Sequence, residues 1–190
     1  MNKAVLISIQ PKWCELIANG QKTIEVRKTK PKIDTPFKCY IYCTNDRKIM
    51  LERSNYDKSI YLNGNIYYPY KADCSLNGKV IGEFVCDYIY NCDADSAGLF
   101  EKGTGKRLPE CCLNWEELFS YSKGKLPIYG WHISDLVIYD HPKEINEFKR
   151  MNRTEDNVPC AHTKWLYAPC ETCKECNLTR PPQSWCYVDT

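Results

Sequence analysis

Two groups of residues in this chain combine side-chain type and spacing in ways that could do chemistry. The first is Lys22, Glu25 and Arg27, inside the stretch GQKTIEVRK at 20–28. On a strand, Glu25 and Arg27 share one face with Thr23, while Ile24 and Val26 share the other; Lys22 stands at the strand's mouth. A Lys and an Arg can hold a phosphate while the carboxylate between them accepts from an amine. The same spacing also describes a surface ion-pair ladder of little energetic weight. Periodicity leaves both readings open.

The second group is Cys160, Cys170, Cys173, Cys176 and Cys186, which fall within 27 residues. Cys170-x2-Cys173-x2-Cys176 is a compact knuckle that can turn two or three sulfurs toward one ion, with Cys160 or Cys186 completing four ligands and His162 in reserve. Thiolates clustered where there is little apolar core favour a structural zinc. The triplet also partly matches a bacterial iron–sulfur run, but there a fourth cysteine follows closely and precedes a proline. Here Cys186 comes ten positions after Cys176 and is followed by Tyr187. Zinc, an iron–sulfur cluster and plain buried thiols all stay open.

Composition narrows the setting. With 190 residues the chain can bury a substantial core, and 43% hydrophobic with 26% charged residues is ordinary for a globular protein. A net charge of +2 argues against coating duplex DNA by bulk electrostatics. No apolar run is long enough to cross a bilayer, and MNKAVLISIQPKW is not a secretory leader, so the chain reads as cytoplasmic. Its 13 cysteines then read as reduced thiols or metal ligands, an odd number that cannot all pair. His132, His141 and His162 lack metalloprotease spacing, and neither a P-loop nor a dinucleotide fingerprint is present.

The elements that must position these groups are expected as follows. Ala4–Ile9 is a strand, and Pro11 opens a helix with Trp13, Leu16 and Ile17 at helical spacing, ending before Gly20. Lys22–Lys28 and Phe37–Thr44 are strands. Ile60–Tyr70 is a hairpin about Asn63-Gly64, and Lys79–Tyr90 is a largely buried strand. Cys92–Pro109 reads as a long loop. Leu113–Ser122 is a helix with Trp115, Leu118 and Phe119 on one side. Gly130–Tyr139 is the last clear strand, and Pro142 opens a short helix to about Lys149. A polar linker after Arg150 leads to a Cys-, Pro- and aromatic-rich remainder. The class is α+β, built on a curled sheet.

The segment ISIQPKWCELIANGQKTIEVRKTKPK resembles the opening of an ASCH domain, a member of the PUA-like superfamily: strand, short helix ending in Gly, then Lys-Thr-x-Glu-x-Arg. YGWHISDLVIYDHP, at 129–142, is similar to the closing strand of phage and Firmicutes members, and RPPQSWCYV, at 180–188, to a recurring C-terminus of phage members. The resemblance covers 1–150, with 45–77 as an inserted β-hairpin region and 151–190 as a Cys-rich appendage. It implies a PUA-like curled β-barrel with flanking short helices and a cleft beside the first helix, and an origin in phage or prophage. The cleft is expected to take single-stranded RNA, a nucleotide or a nucleoside. Lys22, Glu25 and Arg27 would line it, with Trp13, Tyr129 and His132 as aromatic contacts. Trp13 also fits a core position, and His132 a structural one.

Two alternatives accompany this reading. One ASCH branch is similar to acetylcytidine amidohydrolases, in which a Lys, a Thr three positions later and a distant Glu are implicated. Lys22 matches, Glu25 replaces the Thr, and Glu110, Glu116 and Glu117 are vague candidates for the distant carboxylate. A lysine paired with Glu25 is a poor base or nucleophile, so Lys22 and Glu25 are weak catalytic candidates. The other alternative is a protein-interaction module that uses the Cys-rich tail, in which a chain ending near Arg150 would stay folded. For 180–188 the expectation is a strap laying Trp185 and Tyr187 onto the barrel, or a peptide completing the cleft.

Overall fold

A computed structural model describes residues 3–54, 56–63, 75–151 and 177–189. In chain order its elements are β1 (Lys3–Ile9), α1 (Pro11–Ala18), β2 (Ile24–Arg27), β3 (Phe37–Cys43), β4 (Met50–Arg53), β5 (Ile60–Asn63), β6 (Val80–Cys86), β7 (Ile89–Asp95), β8 (Gly98–Glu101), α2 (Trp115–Ser122), β9 (Ile128–His132), β10 (Ser134–Lys143) and β11 (Trp185–Asp189). The α+β class holds: the described chain is mainly strand with two short helices.

The strands form a five-stranded sheet ordered β10-β6-β3-β1-β11, a four-stranded sheet ordered β2-β9-β7-β8 and the hairpin β4-β5. Neither larger sheet closes on itself among the described residues. The chain instead turns two corners between the sheets. β6 of the first runs into β7 of the second through Asp87 and Tyr88, and β9 of the second runs into β10 of the first through Ile133. Such sheet-switching strands make the corners of a folded-over sheet.

Burial explains why β1 is almost wholly apolar. Val5, Ile7 and Ile9 face the space between the sheets with Cys39, Ile41, Phe84 and Trp131, while Ala4 and Leu6 face an outer cluster with Tyr40, Tyr42, Phe148 and Val188. A strand covered on both faces reads as a continuous hydrophobic run. In the second sheet, Ile24, Val26, Cys92 and Ile128 pack with Leu118 of α2. That packing turns Glu25 and Arg27 to the opposite face, toward the first sheet. Gly82 on β6 lets β10 approach, since a Cβ there would strike the Val137 carbonyl.

Several local expectations are corrected. Residues 92–109 are not one loop: β7 and β8 pair as a hairpin, with the Asp95 carboxylate accepting from the Ala97 N–H at 2.8 Å and Gly98 at φ +115°. Met50–Arg53 pairs with Ile60–Asn63 as a hairpin within 45–77, a pairing that was not expected; the turn expected at Asn63-Gly64 runs into residues 64–74, outside those described. Pro142 lies within β10, at the edge of its sheet, where a missing N–H is tolerated. Beyond it only Ile145–Glu147 forms a 3₁₀ turn. On α2, Leu118 is buried but Phe119 is exposed and stacks on Trp115 with centroids 5.6 Å apart.

The segment set apart as an appendage supplies the final strand. β11 pairs antiparallel with β1, Ala4 opposite Val188 and Leu6 opposite Cys186. Trp185 packs toward Trp131 at 6.0 Å, and the Tyr187 hydroxyl accepts the Lys32 N–H at 2.7 Å. The expected strap exists, as an integral sheet edge.

Candidate functional site

β2 and β11 are edge strands of different sheets, and a cleft of about 830 Å³ opens beside them. Its lining comes from the end of β1, from α1, β2 and α2, and from Pro181–Gln183 just before β11. The volume is in the range of small-ligand sites.

Helix chemistry sets the floor. α1 starts at Pro11, whose lacking N–H would be an orphan in the first turn anyway. At its other end the Leu16 carbonyl accepts from the N–H groups of both Gln21 and Lys22, at 2.9 and 3.0 Å. This turn swings Lys22 inward, where it is 1% exposed. Its ammonium donates to the carbonyls of Ile24 at 2.9 Å and Cys111 at 2.5 Å and lies 3.4 Å from Glu25 Oε2. All three hydrogens are therefore spoken for.

Glu25 and Arg27, each 6% exposed, project from β2 into the same space. Arg27 Nη2 donates to Glu25 Oε1 at 2.9 Å and to the Ser8 carbonyl at 2.7 Å, while Nη1 reaches Ser184 Oγ at 3.4 Å. Its Nε is a buried donor with no hydrogen-bond partner. Two cations around one carboxylate leave one positive charge in excess on a desolvated floor. Glu25 retains lone pairs for a further donor.

The walls are aromatic and charged. Trp13 is half-buried, lining the cleft while packing against the inter-sheet core. Lys12 Nζ sits 4.3 Å and Lys22 Nζ 5.2 Å from its ring centre. Lys12 also pairs with Glu117 at 2.6 Å, joining α1 to α2. Burial pushes Glu117 up, but hydrogen bonds from Lys12 and the Asn114 N–H, with the Lys12 and Lys22 charges, outweigh it and hold the carboxyl below its usual range. Glu117 is also the third residue of the α2 capping box with Asn114. Tyr121 closes one side; burial raises its hydroxyl, with the Arg27 charge pulling the other way.

Lys22, Glu25, Arg27 and Trp13 thus come together, with Glu116 and Glu117 on the α2 side. Glu110 is not part of the lining; its carbonyl accepts the Thr23 N–H at 3.2 Å. Tyr129 and His132 are elsewhere. Tyr129 lines a separate hollow with residues 28–34, and His132 Nδ1 lies 2.6 Å from the Asp87 carboxylate near a sheet corner. Trp131, between them, is wholly buried. Sequence reasoning missed Ser8 and Tyr121 as lining; Pro181–Gln183, from the 180–188 segment read as a strap or as a peptide completing the cleft, line it as well.

Cys160, Cys170, Cys173 and Cys176 lie outside the described residues. Cys186 is in β11, buried in the outer apolar cluster, and burial raises its thiol. Among the described residues no cluster of His, Cys, Asp and Glu is placed to hold a metal ion, and no helix there is long and apolar enough to cross a membrane.

No family model and no curated protein matches the chain. Among solved structures, the chain is similar to ASCH from Zymomonas mobilis, at 18% identity over 76% of this chain and 75% of that one, with a TM-score of 0.48. A point mutant of the Zymomonas mobilis ASCH protein is similar at 17% identity over 76% and 77% of the two chains, with a TM-score of 0.49.

Proposed function

We propose that the chain is an ASCH-type, PUA-like module that binds single-stranded RNA or a nucleotide in the cleft bordered by α1, β2, α2 and Pro181–Gln183. The observation carrying this reading is the buried floor: Lys22, Glu25 and Arg27 held together under a cleft of nucleotide size. In this reading Lys22 is a post that fixes Glu25, its hydrogens all engaged. Glu25 accepts from a base amine, Arg27 offers Nη1, and Trp13 or Tyr121 meets a base face. Lys12 at the rim meets phosphate.

The test is a thermal-shift screen of the full chain against nucleosides, nucleotides and short single strands. A ligand at one hundred times its Kd stabilises by about 2.7 kcal/mol, which for a chain of this size raises Tm by roughly 5–10 °C. Trp13→Leu is expected to shrink that shift, read against the variant's own unliganded Tm, which falls because Trp13 also packs against the core. A screen in which none of these ligands moves Tm refutes the reading.

A further inference from the structure

The loop that follows β2 carries Lys28, Lys30 and Lys32, all exposed, around a hollow of about 490 Å³ that also includes Thr29, Pro31, Ile33, Asp34 and Tyr129. Three ammoniums against one carboxylate make it electropositive. A run of surface lysines is ordinarily a solvated charge cluster, but this one is held in shape. The Trp185 indole N–H donates to Thr29 Oγ1 at 3.0 Å, the Lys32 N–H donates to the Tyr187 hydroxyl at 2.7 Å, and Pro31 is buried between them. Lys30 Nζ lies 5.7 Å from the centre of the Tyr129 ring.

The hollow is separate from the cleft but adjoins it along the chain. Lys28 follows Arg27 in the chain, and its ammonium sits 4.9 Å from the ring centre of Tyr121, which lines the cleft. Tyr129 is the cross-strand partner of Arg27. From Arg27 to Lys30 the backbone spans at most about 10 Å, a distance a short oligonucleotide bridges.

We propose that the Lys28–Asp34 loop with Tyr129 is a second subsite, which takes the phosphates and one base of a single-stranded nucleic acid whose neighbouring nucleotide occupies the cleft. This rests on the cleft reading above and commits it to a strand rather than a lone nucleotide. Lys30 and Lys32 neutralise backbone phosphates and Tyr129 offers a stacking face, the combination that single-strand binders use.

The experiment measures anisotropy of the full chain with a labelled mononucleotide and a labelled eight-nucleotide single strand across a salt series. The double variant Lys30→Gln/Lys32→Gln is expected to leave mononucleotide affinity and Tm unchanged. For the oligonucleotide it should flatten the slope of log K against log salt by about 1.4, two phosphates at about 0.7 each. Tyr129→Leu should weaken the oligonucleotide alone by about 5- to 150-fold. If the wild type binds the mononucleotide but the double variant keeps the full slope and affinity for the strand, the subsite is refuted and the cleft reading stands. If neither probe binds the wild type, both fall.

Discussion

Replacing Glu25 by Gln removes the one negative charge among three groups whose side chains are 1–7% exposed. Lys22 keeps the Ile24 and Cys111 carbonyls and Arg27 keeps the Ser8 carbonyl, so each cation stays partly hydrogen-bonded but loses its counter-charge. Removing one partner of a buried ion pair costs about 3–5 kcal/mol because the other charge is left buried and uncompensated. The amide oxygen still accepts from Arg27, which places Glu25→Gln near the lower end, about 3 kcal/mol. With an m-value of about 2 kcal/mol/M, the urea midpoint should fall by about 1.5 M. The double variant Lys22→Met/Glu25→Gln removes one of the stranded cations, so its loss should be less than the sum of the single losses by about 1–3 kcal/mol. Urea melts at neutral pH, followed by tryptophan fluorescence and circular dichroism, measure all three variants. A loss below about 1 kcal/mol for Glu25→Gln, or strict additivity in the cycle, would show that water reaches the carboxylate and that the floor is not the desolvated cluster described.

The tail and the thiols give two further tests. A chain ending at Arg150 loses β11, whose Cys186, Tyr187 and Val188 are buried, and with it roughly 5–8 kcal/mol of side-chain burial, comparable with the whole stability of a domain. It also bares the edge of β1 to association, so the expected product is insoluble or melts without cooperativity; a cooperative melt matching the full chain refutes this. Burial pushes the thiols of Cys86 and Cys92 up to about 12, so at pH 8 only about one molecule in ten thousand carries either as thiolate. Iodoacetamide followed by peptide mapping should mark half-exposed Cys112 well before them; equal rates refute the packing of the strands that hold them.

The parts of the fold legible in the sequence are those decided within a few residues. The β-branched run of β1, Pro11 at the start of α1 and the alternation through Ile24–Arg27 all lead to the elements observed. Errors arise where a distant partner decides. Residues 92–101 look like loop because Asn91, Asp93 and Asp95 interrupt the apolar pattern. The hairpin forms because Cys92 and Leu99 reach the cluster under α2, while polar neighbours face out. Pro142 suggests a helix start, but β6 captures Lys143 opposite Val80, and an edge position excuses the proline. β11 looks like part of an appendage because nothing local announces pairing with a strand nearly two hundred residues earlier.

The same division governs the site. Parity alone put Glu25 and Arg27 on one face but could not say whether that face meets water or the other sheet. Ile24 and Val26 decide it by packing with Leu118, Leu108 and Cys111, which sends the charged pair inward. Lys22 was beyond parity altogether, since its direction is set by the Leu16 carbonyl at the end of α1. The outcome alters the role of each charge. Lys22 was expected to contact an anion, yet its donors are consumed by two carbonyls and Glu25. Arg27 is the cation with a donor in hand, because Nε is unpaired. A buried donor left unpaired is costly. Because the floor is already desolvated and oriented when the cleft is empty, a ligand needs little further reorganisation there. That makes the cleft over β2, rather than the His132–Asp87 pair, the place where polar contacts can yield affinity.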